Sequence, residues 1–229
     1  SVWWAFKQCW DKELVYEGRK VLLYCPRCET PLSNFEVAMD NSYKDITVEA
    51  VVVKFKISND QFQTKLKLQI PNDEPIHLLA WTTTPWTLPG NVALAVGKDI
   101  EYGVFKTENG YVILAKQQAE KMGISHSADL VFRGENLVGI AYEPLFDVPV
   151  MAGEQSYRVH TADFVTTEEG TGIVHIAPVH GEDDYALGVI ARLPVVPLLD
   201  EKGTFNAQAP ELVRGQYFKK GEKAIKADL

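Results

Sequence analysis

Trp81-Thr82-Thr83-Thr84-Pro85-Trp86-Thr87-Leu88-Pro89 is the stretch on which the reading of this chain turns. It follows Ile76 to Ala80, an apolar run with the makings of a buried strand, and the two prolines forbid that strand from continuing. Four threonine hydroxyls and two indoles therefore gather at a strand end, where a sheet opens onto a cleft. Hydroxyls and the backbone around them position water and ester oxygens, while tryptophans shape a pocket for something apolar. Alone, the same residues also describe a Thr-rich strand that turns and packs its tryptophans inward.

A second segment bears on that choice: Gly170-Thr171-Gly172-Ile173-Val174-His175-Ile176-Ala177-Pro178-Val179-His180-Gly181-Glu182-Asp183-Asp184-Tyr185. Glycines lead into a short apolar strand with one histidine, and Pro178 and Gly181 break it. Glu182, Asp183 and Asp184 then open an amphipathic helix running to Leu193. Acidic residues at a helix start suit the positive end of its dipole, so capping explains the trio as well as a cation pocket does. In the second reading the acids floor the pocket and His175 is its wall or a proton carrier.

Composition describes an ordinary globular chain, with 46% hydrophobic and 24% charged among 229 residues, enough for one sizeable core. Three cysteines, two of them in Cys25-Pro26-Arg27-Cys28, suit a reducing, cytoplasmic setting and a metal knuckle better than a disulfide framework. No apolar run approaches the roughly 20 residues of a membrane span. The chain opens inside an amphipathic segment, Ser1 to Tyr16, whose Trp3, Trp4, Phe6, Trp10 and Leu14 ask for a partner; a piece of a longer protein is the expectation.

Most of the rest reads as extended. Lys20 to Tyr24 leads into the cysteine knuckle, and Val48 to Ile57 and Phe62 to Ile70 flank Ser58-Asn59-Asp60 as a hairpin. Further strands are expected at Ile76–Thr83, Val92–Val96, Tyr102–Lys106, Tyr111–Ala115, Leu130–Phe132, Tyr157–Thr161 and Gly172–Ala177, with Asn109-Gly110 as a tight turn. Helices are expected at the N-terminus, over Lys116–Met122 and over Asp183–Leu193. Many short strands with Gly and Pro punctuation predict a mainly β fold with flanking helices, a closed or nearly closed antiparallel barrel.

Together the two long motifs resemble the editing, or connective-peptide, domain of isoleucyl-tRNA synthetase, the insertion that splits the catalytic domain of that class I aminoacyl-tRNA synthetase. The resemblance rests on the Thr-rich strand with Pro-Trp-Thr-Leu-Pro and Asn91, on Gly-Thr-Gly-Ile-Val-His with Asp184 nine positions after His175, and on Tyr24-Cys25-Pro26-Arg27-Cys28-Glu29-Thr30-Pro31-Leu32-Ser33. Valyl and leucyl relatives usually carry Arg-Pro after the threonines, where this chain has Thr84-Pro85. The resemblance implies a Greek-key barrel over residues 41–213, preceded by a helix and knuckle over 1–40 and followed by a return linker over 214–229.

It also implies the chemistry. Valine lacks one methylene of isoleucine; a methylene in an apolar pocket is worth about 1–3 kcal/mol, a known magnitude of which isoleucyl-tRNA synthetase is the standing example. A second, smaller pocket that hydrolyses whatever fits removes the error, here the valyl ester on tRNA(Ile) and a valyl adenylate. By the motif match Asp184 holds the α-ammonium, His175 and Trp86 wall off isoleucine, and Thr82, Thr83 and Thr84 contact the ester, the ribose or the attacking water. Trp81 lines the adenosine side, and Thr87 belongs to the same substrate-binding set. No covalent acyl-enzyme is expected, and no cofactor is needed for editing.

Partners implied are the acceptor end of tRNA(Ile) carrying valine and the remainder of the parent synthetase. The net charge of −8 argues against strong phosphate binding by this chain alone. Arg214, Lys219, Lys220, Lys223 and Lys226 make a locally basic stretch that reads as a solvated linker. Cys25 and Cys28 are half of a tetrahedral zinc site, completed in the family beyond the insertion. Neither a His-x-Gly-His-type nor a Lys-Met-Ser-Lys-Ser-type ATP signature is present, and Lys121-Met122 does not continue one. Three other readings stay open: a valyl or leucyl relative, a non-catalytic zinc-knuckle RNA-binding module, and a metal-dependent hydrolase using the His175, His180 and Asp cluster, with His180, Glu182 and Asp183 as conceivable metal ligands.

Overall fold

The computed structural model describes residues 1–66, 74–124 and 127–229. In chain order the regular elements are α1 (Val2–Asp11), β1 (Tyr24–Cys25), β2 (Thr30–Pro31), α2 (Asn34–Val37), β3 (Val51–Ile57), α3 (Asn59–Leu66) and β4 (Ile76–Thr82). There follow β5 (Ala93–Val96), β6 (Glu101–Thr107), β7 (Gly110–Ala115), β8 (Leu130–Arg133), β9 (Arg158–Thr161), β10 (Ile173–Ile176), α4 (Glu182–Ala191) and α5 (Phe218–Asp228). The architecture is mainly β with helices around it.

A five-stranded sheet runs β3-β4-β7-β6-β8, and a three-stranded sheet runs β10-β5-β9. Among the described residues neither sheet closes on itself, so of the expected closed or nearly closed antiparallel barrel the closed form is not present. Pairing is also mixed, because β4 lies parallel to β7 and β5 parallel to β9. The cause is the route of the chain. After β4 it crosses to the second sheet as β5 and returns as β6 and β7, so β7 comes back pointing the same way as β4.

β4 is a central strand, and five of its seven residues are buried, as a strand covered on both faces requires. One core joins the sheets through Phe55, Ile76, Leu78, Leu94, Ile113 and Leu137. The sheets are also tied by polar contacts. Tyr102 is fully buried, and its hydroxyl donates to the Gly172 carbonyl at 2.7 Å. Gly172 has φ +74°, and a Cβ there would overlap that of Ala115, so only glycine allows β10 to approach β7 this closely.

Several expectations need correction. The hairpin at Ser58-Asn59-Asp60 is absent: β3 ends at Ile57 and α3 begins at once, with the Phe62 N–H donating to the Ser58 carbonyl. Phe62 and Leu66 are four apart, a spacing that puts residues on one face of a strand and of a helix alike. The end of the expected strand, 67–70, lies outside the described residues. Lys116–Met122 is only a 3-10 turn over Lys116–Gln118 followed by irregular turns, and Lys20 to Tyr24 contributes only the start of β1. The basic stretch read as a solvated linker is helical over α5, which buries Ile225 completely, and its Lys226 pairs with Glu49 and Glu222. By contrast, the tight turn is present, with Thr107 paired to Gly110. Among the described residues no helix is long and apolar enough to cross a membrane.

Candidate functional site

The chain leaves β4 at Thr82 and enters a 3-10 turn, Pro85–Gly90, on its way to β5. Proline at the first turn position fixes φ and gives up an N–H that would have no partner there. Before it, the Thr82 hydroxyl accepts from the Thr84 N–H at 3.0 Å and lies 3.3 Å from the Thr84 hydroxyl, folding the threonines into a ledge. Thr82 is buried, while Thr83 and Thr84 are exposed. β10 lies antiparallel to β5, with His175 opposite Leu94, and brings its histidine to the same place. The turn after β10 then delivers His180, Gly181 and the start of α4.

These segments enclose a cavity of about 250 Å³ lined by Thr82, Thr83, Thr84, Thr87, His175 and Asp184, with Trp81, Val174, Ala177, His180 and Gly181 completing it. Trp86 is the exception among the expected site residues and does not line it. Neighbours on a 3-10 helix point about 120° apart. Thr87 is turned toward His175, so Trp86 faces away, with its ring 4.9 Å from His180 and 4.7 Å from Phe218. Asn91 is also structural: its side chain accepts from the Tyr142 hydroxyl at 2.6 Å and donates to the Ala93 carbonyl.

Geometry separates the two neighbouring aspartates. Asp184 sits in the first turn of α4 and points into the cavity, where its Oδ1 accepts from the Ala177 N–H at 2.7 Å. Asp183 faces another groove, beside Asp163 and Phe164. Gly181 supplies the clearance, since a side chain there would run into Asp184 Oδ2. Burial pushes the Asp184 carboxyl above the usual range, opposed by the Ala177 N–H and raised further by Asp183. A cation entering the cavity would pull it back down.

His175 is 8% exposed. The Thr87 hydroxyl donates to the Thr84 carbonyl at 2.8 Å, so in its 3.1 Å contact with His175 Nε2 the ring is the donor. That leaves Nδ1 a buried acceptor with no partner among the described residues. Burial, followed by the charge of His180, holds His175 down at about 4, and burial alone holds His180 at about 4. Both rings are neutral near pH 7.

A pH dependence of stability follows. An unfolded histidine takes its proton near 6.5, so between that value and about 4 the unfolded chain binds more protons than the native one. The stability tied to the two neutral rings is complete above roughly pH 6.5 and is lost as pH falls through their folded values. Asp184 acts in the opposite sense, because a raised carboxyl favours the native state at low pH. Two histidines outweigh one partly buried carboxyl, so Tm is expected to fall from pH 7 to pH 4. Calorimetry across that window checks this, and an unchanged Tm would contradict it.

Comparison with known proteins fits this geometry. Residues 1–187 match the family model of class I tRNA synthetases (I, L, M and V). The chain belongs to that family. Among class I relatives, the isoleucine-tRNA ligase of Clostridium acetobutylicum is 42% identical over 225 residues, covering 98% of this chain and 20% of the relative. That of Rickettsia typhi is 40% identical, covering 98% of this chain and 22% of the relative. The chain thus spans about a fifth of the length of the curated relatives it matches. In fold it resembles the crystal structure of GlLeuRS-CP1, with TM-score 0.63 and 17% identity over 78% of this chain and 93% of that one. It also resembles the editing domain of the P. knowlesi cytosolic leucyl-tRNA synthetase, with TM-score 0.59 and 14% identity over 80% of this chain and 94% of that one. The fold is that of the synthetase editing domains.

Cys25 ends β1 and Cys28 lies in the tight link to β2, where its backbone and thiol hold the Cys25 thiol below its usual range. Among the described residues no third His, Cys, Asp or Glu joins them, nor do three such groups converge anywhere else. Two thiols do not make a tetrahedral zinc site, so among the described residues the pair by itself does not complete one. The same finding argues against a metal centre of His180, Glu182 and Asp183. His180 and Gly181 are the site residues that sequence reasoning undervalued. The signal for them was the Pro178 to Gly181 turn, which must bring its side chains back over the end of β10.

Proposed function

We propose that this class I chain is the hydrolytic proofreading domain of an isoleucyl-tRNA synthetase, which removes valine from tRNA(Ile) and excludes isoleucine by size. The observation that carries this reading is the convergence of the threonine ledge, His175 and Asp184 on one small cavity. The valyl α-ammonium pairs with Asp184, and the neutral His175 forms the wall. The threonine hydroxyls and backbone hold the ester and a water in attacking distance. Water adds to the ester carbonyl, the ribose oxygen leaves with a proton, and the products are valine and a tRNA with a free terminal hydroxyl. A neutral imidazole with so low a proton affinity is a poor general base, so positioning and electrostatics carry the step and substrate hydroxyls share the proton transfer. Valyl adenylate is a second substrate of the same cavity, and the remainder of the parent synthetase supplies most of the contacts to tRNA.

The test is to incubate the chain with tRNA(Ile) charged with labelled valine or labelled isoleucine and follow each ester. The valyl ester is expected to disappear faster by an order of magnitude or more, and equal rates would overturn the size-exclusion reading. The same hydrolysis is expected to persist in chelator, since the groups assigned here are hydroxyls, an imidazole and a carboxylate. Its loss would favour metal-assisted hydrolysis.

A further inference from the structure

We propose that His180 is a specificity-determining wall of the cavity, and that Phe218 on α5 is a positioning residue that holds His180 in place through Trp86. The selectivity half of this inference rests on the proofreading reading; the positioning half does not.

His180 lines the cavity from the turn between β10 and α4. Its backbone is tied by a 2.9 Å hydrogen bond from its N–H to the Ala177 carbonyl. Its ring is placed by packing. Trp86 meets it nearly edge-on, at 4.9 Å and 72°, within the range in which aromatic pairs are mutually stabilising. The indole in turn rests on Phe218 at 4.7 Å, and Phe218 rests on Tyr217 at 4.7 Å.

The far end of this row is firmly held. The Phe218 N–H donates to the Gly203 carbonyl at 2.9 Å. Ile225 is fully buried one face along α5, and Gly221 lets the helix lie directly against Phe205. A single 3-10 turn therefore sets two cavity walls by different means: Thr87 fixes His175 by a hydrogen bond, and Trp86 fixes His180 by contact. The second wall depends on α5, which is more than thirty residues distant in the sequence from His180. Side chains behind a wall decide its position in a close-packed interior, because a gap behind it is filled by movement of the wall itself. A valine pocket that must refuse one methylene is sensitive to such a shift.

The experiment uses Phe218→Ala, with Phe218→Leu as the conservative comparison. The first readout is the NMR titration of the His180 ring, whose cavity neighbours with titratable groups are His175 and Asp184. In Phe218→Ala the His180 midpoint is expected to rise by about one pH unit or more, toward the exposed value. The second readout is selectivity. Isoleucyl-ester hydrolysis is expected to rise severalfold relative to valyl, with KM for the valyl ester rising more than kcat falls. Phe218→Leu is expected to restore most of both. An unmoved His180 midpoint overturns the positioning role, and a moved midpoint with unchanged selectivity overturns the specificity role. If Phe218→Ala does not fold, Trp86→Phe, which shortens the row at its middle, takes the same two readouts. Should the unaltered chain cleave neither ester, the proofreading reading falls while the titration still decides how His180 is held.

Discussion

Asp184→Asn is expected to lower hydrolysis of the valyl ester by a hundred- to a thousandfold while leaving the fold intact. The substitution keeps the shape of the side chain and its carbonyl-type oxygen, so the bond from the Ala177 N–H survives. What it removes is charge. An ammonium taken into a half-dry cavity without its counterion loses on the order of 3–5 kcal/mol, and each 1.4 kcal/mol is a factor of ten. The loss should appear in kcat/KM for the aminoacyl ester and vanish for an analogue that lacks the amine. A second signature is pH. Burial raises the Asp184 carboxyl, so activity should begin to fall, as pH is lowered, before an ordinary aspartate would protonate. The residual activity of Asp184→Asn should lack that limb. Rates within a fewfold of the parent chain would leave no role for this carboxylate in binding the amine.

Asp184 also marks how far the sequence could be read. The strand-and-stop character of Ile76 to Pro89 and of Gly170 to Gly181 is local, set by prolines, glycines and apolar runs, and β4, β5 and β10 follow it within a residue or two. The two neighbouring aspartates were not separable from composition. They separate only on the helix, where successive residues point about 100° apart and one alone can face the cavity. Strand direction was not legible either. Antiparallel pairing was the natural expectation for many short strands, yet β4–β7 and β5–β9 are parallel because the chain alternates between sheets. Phe62 and Leu66 satisfied two periodicities at once. Trp86 was expected to wall the cavity beside Thr87, but neighbours on the 3-10 turn point apart, so Thr87 lines it and Trp86 does not. His180 and α5 were undervalued for a shared reason: their contribution is a contact across the fold with Trp86, and no local pattern records it.

His175→Ala is expected to relax the size limit and let the cavity hydrolyse the isoleucyl ester. The ring is buried and fixed by Thr87, so it cannot swing aside to admit a longer side chain. Forcing an extra methylene into a packed site costs about 1–3 kcal/mol. Removing the imaginary clash by removing the ring should therefore raise isoleucyl hydrolysis roughly ten- to a hundredfold. Valyl hydrolysis should change less, because the amine is still gripped by Asp184 and the ledge of threonines is untouched. A cost in stability accompanies the gain. Thr87 loses the donor that its hydroxyl oxygen now accepts from, worth roughly 1 kcal/mol, but the Thr87 bond to the Thr84 carbonyl remains and keeps the turn. His175→Gln separates the two effects, since an amide can still donate to Thr87 while refilling most of the space, and it should retain discrimination better than alanine. Discrimination that stays at the parent value in His175→Ala would mean that the ring bounds the cavity without setting its reach, and the size limit would then have to be sought at His180.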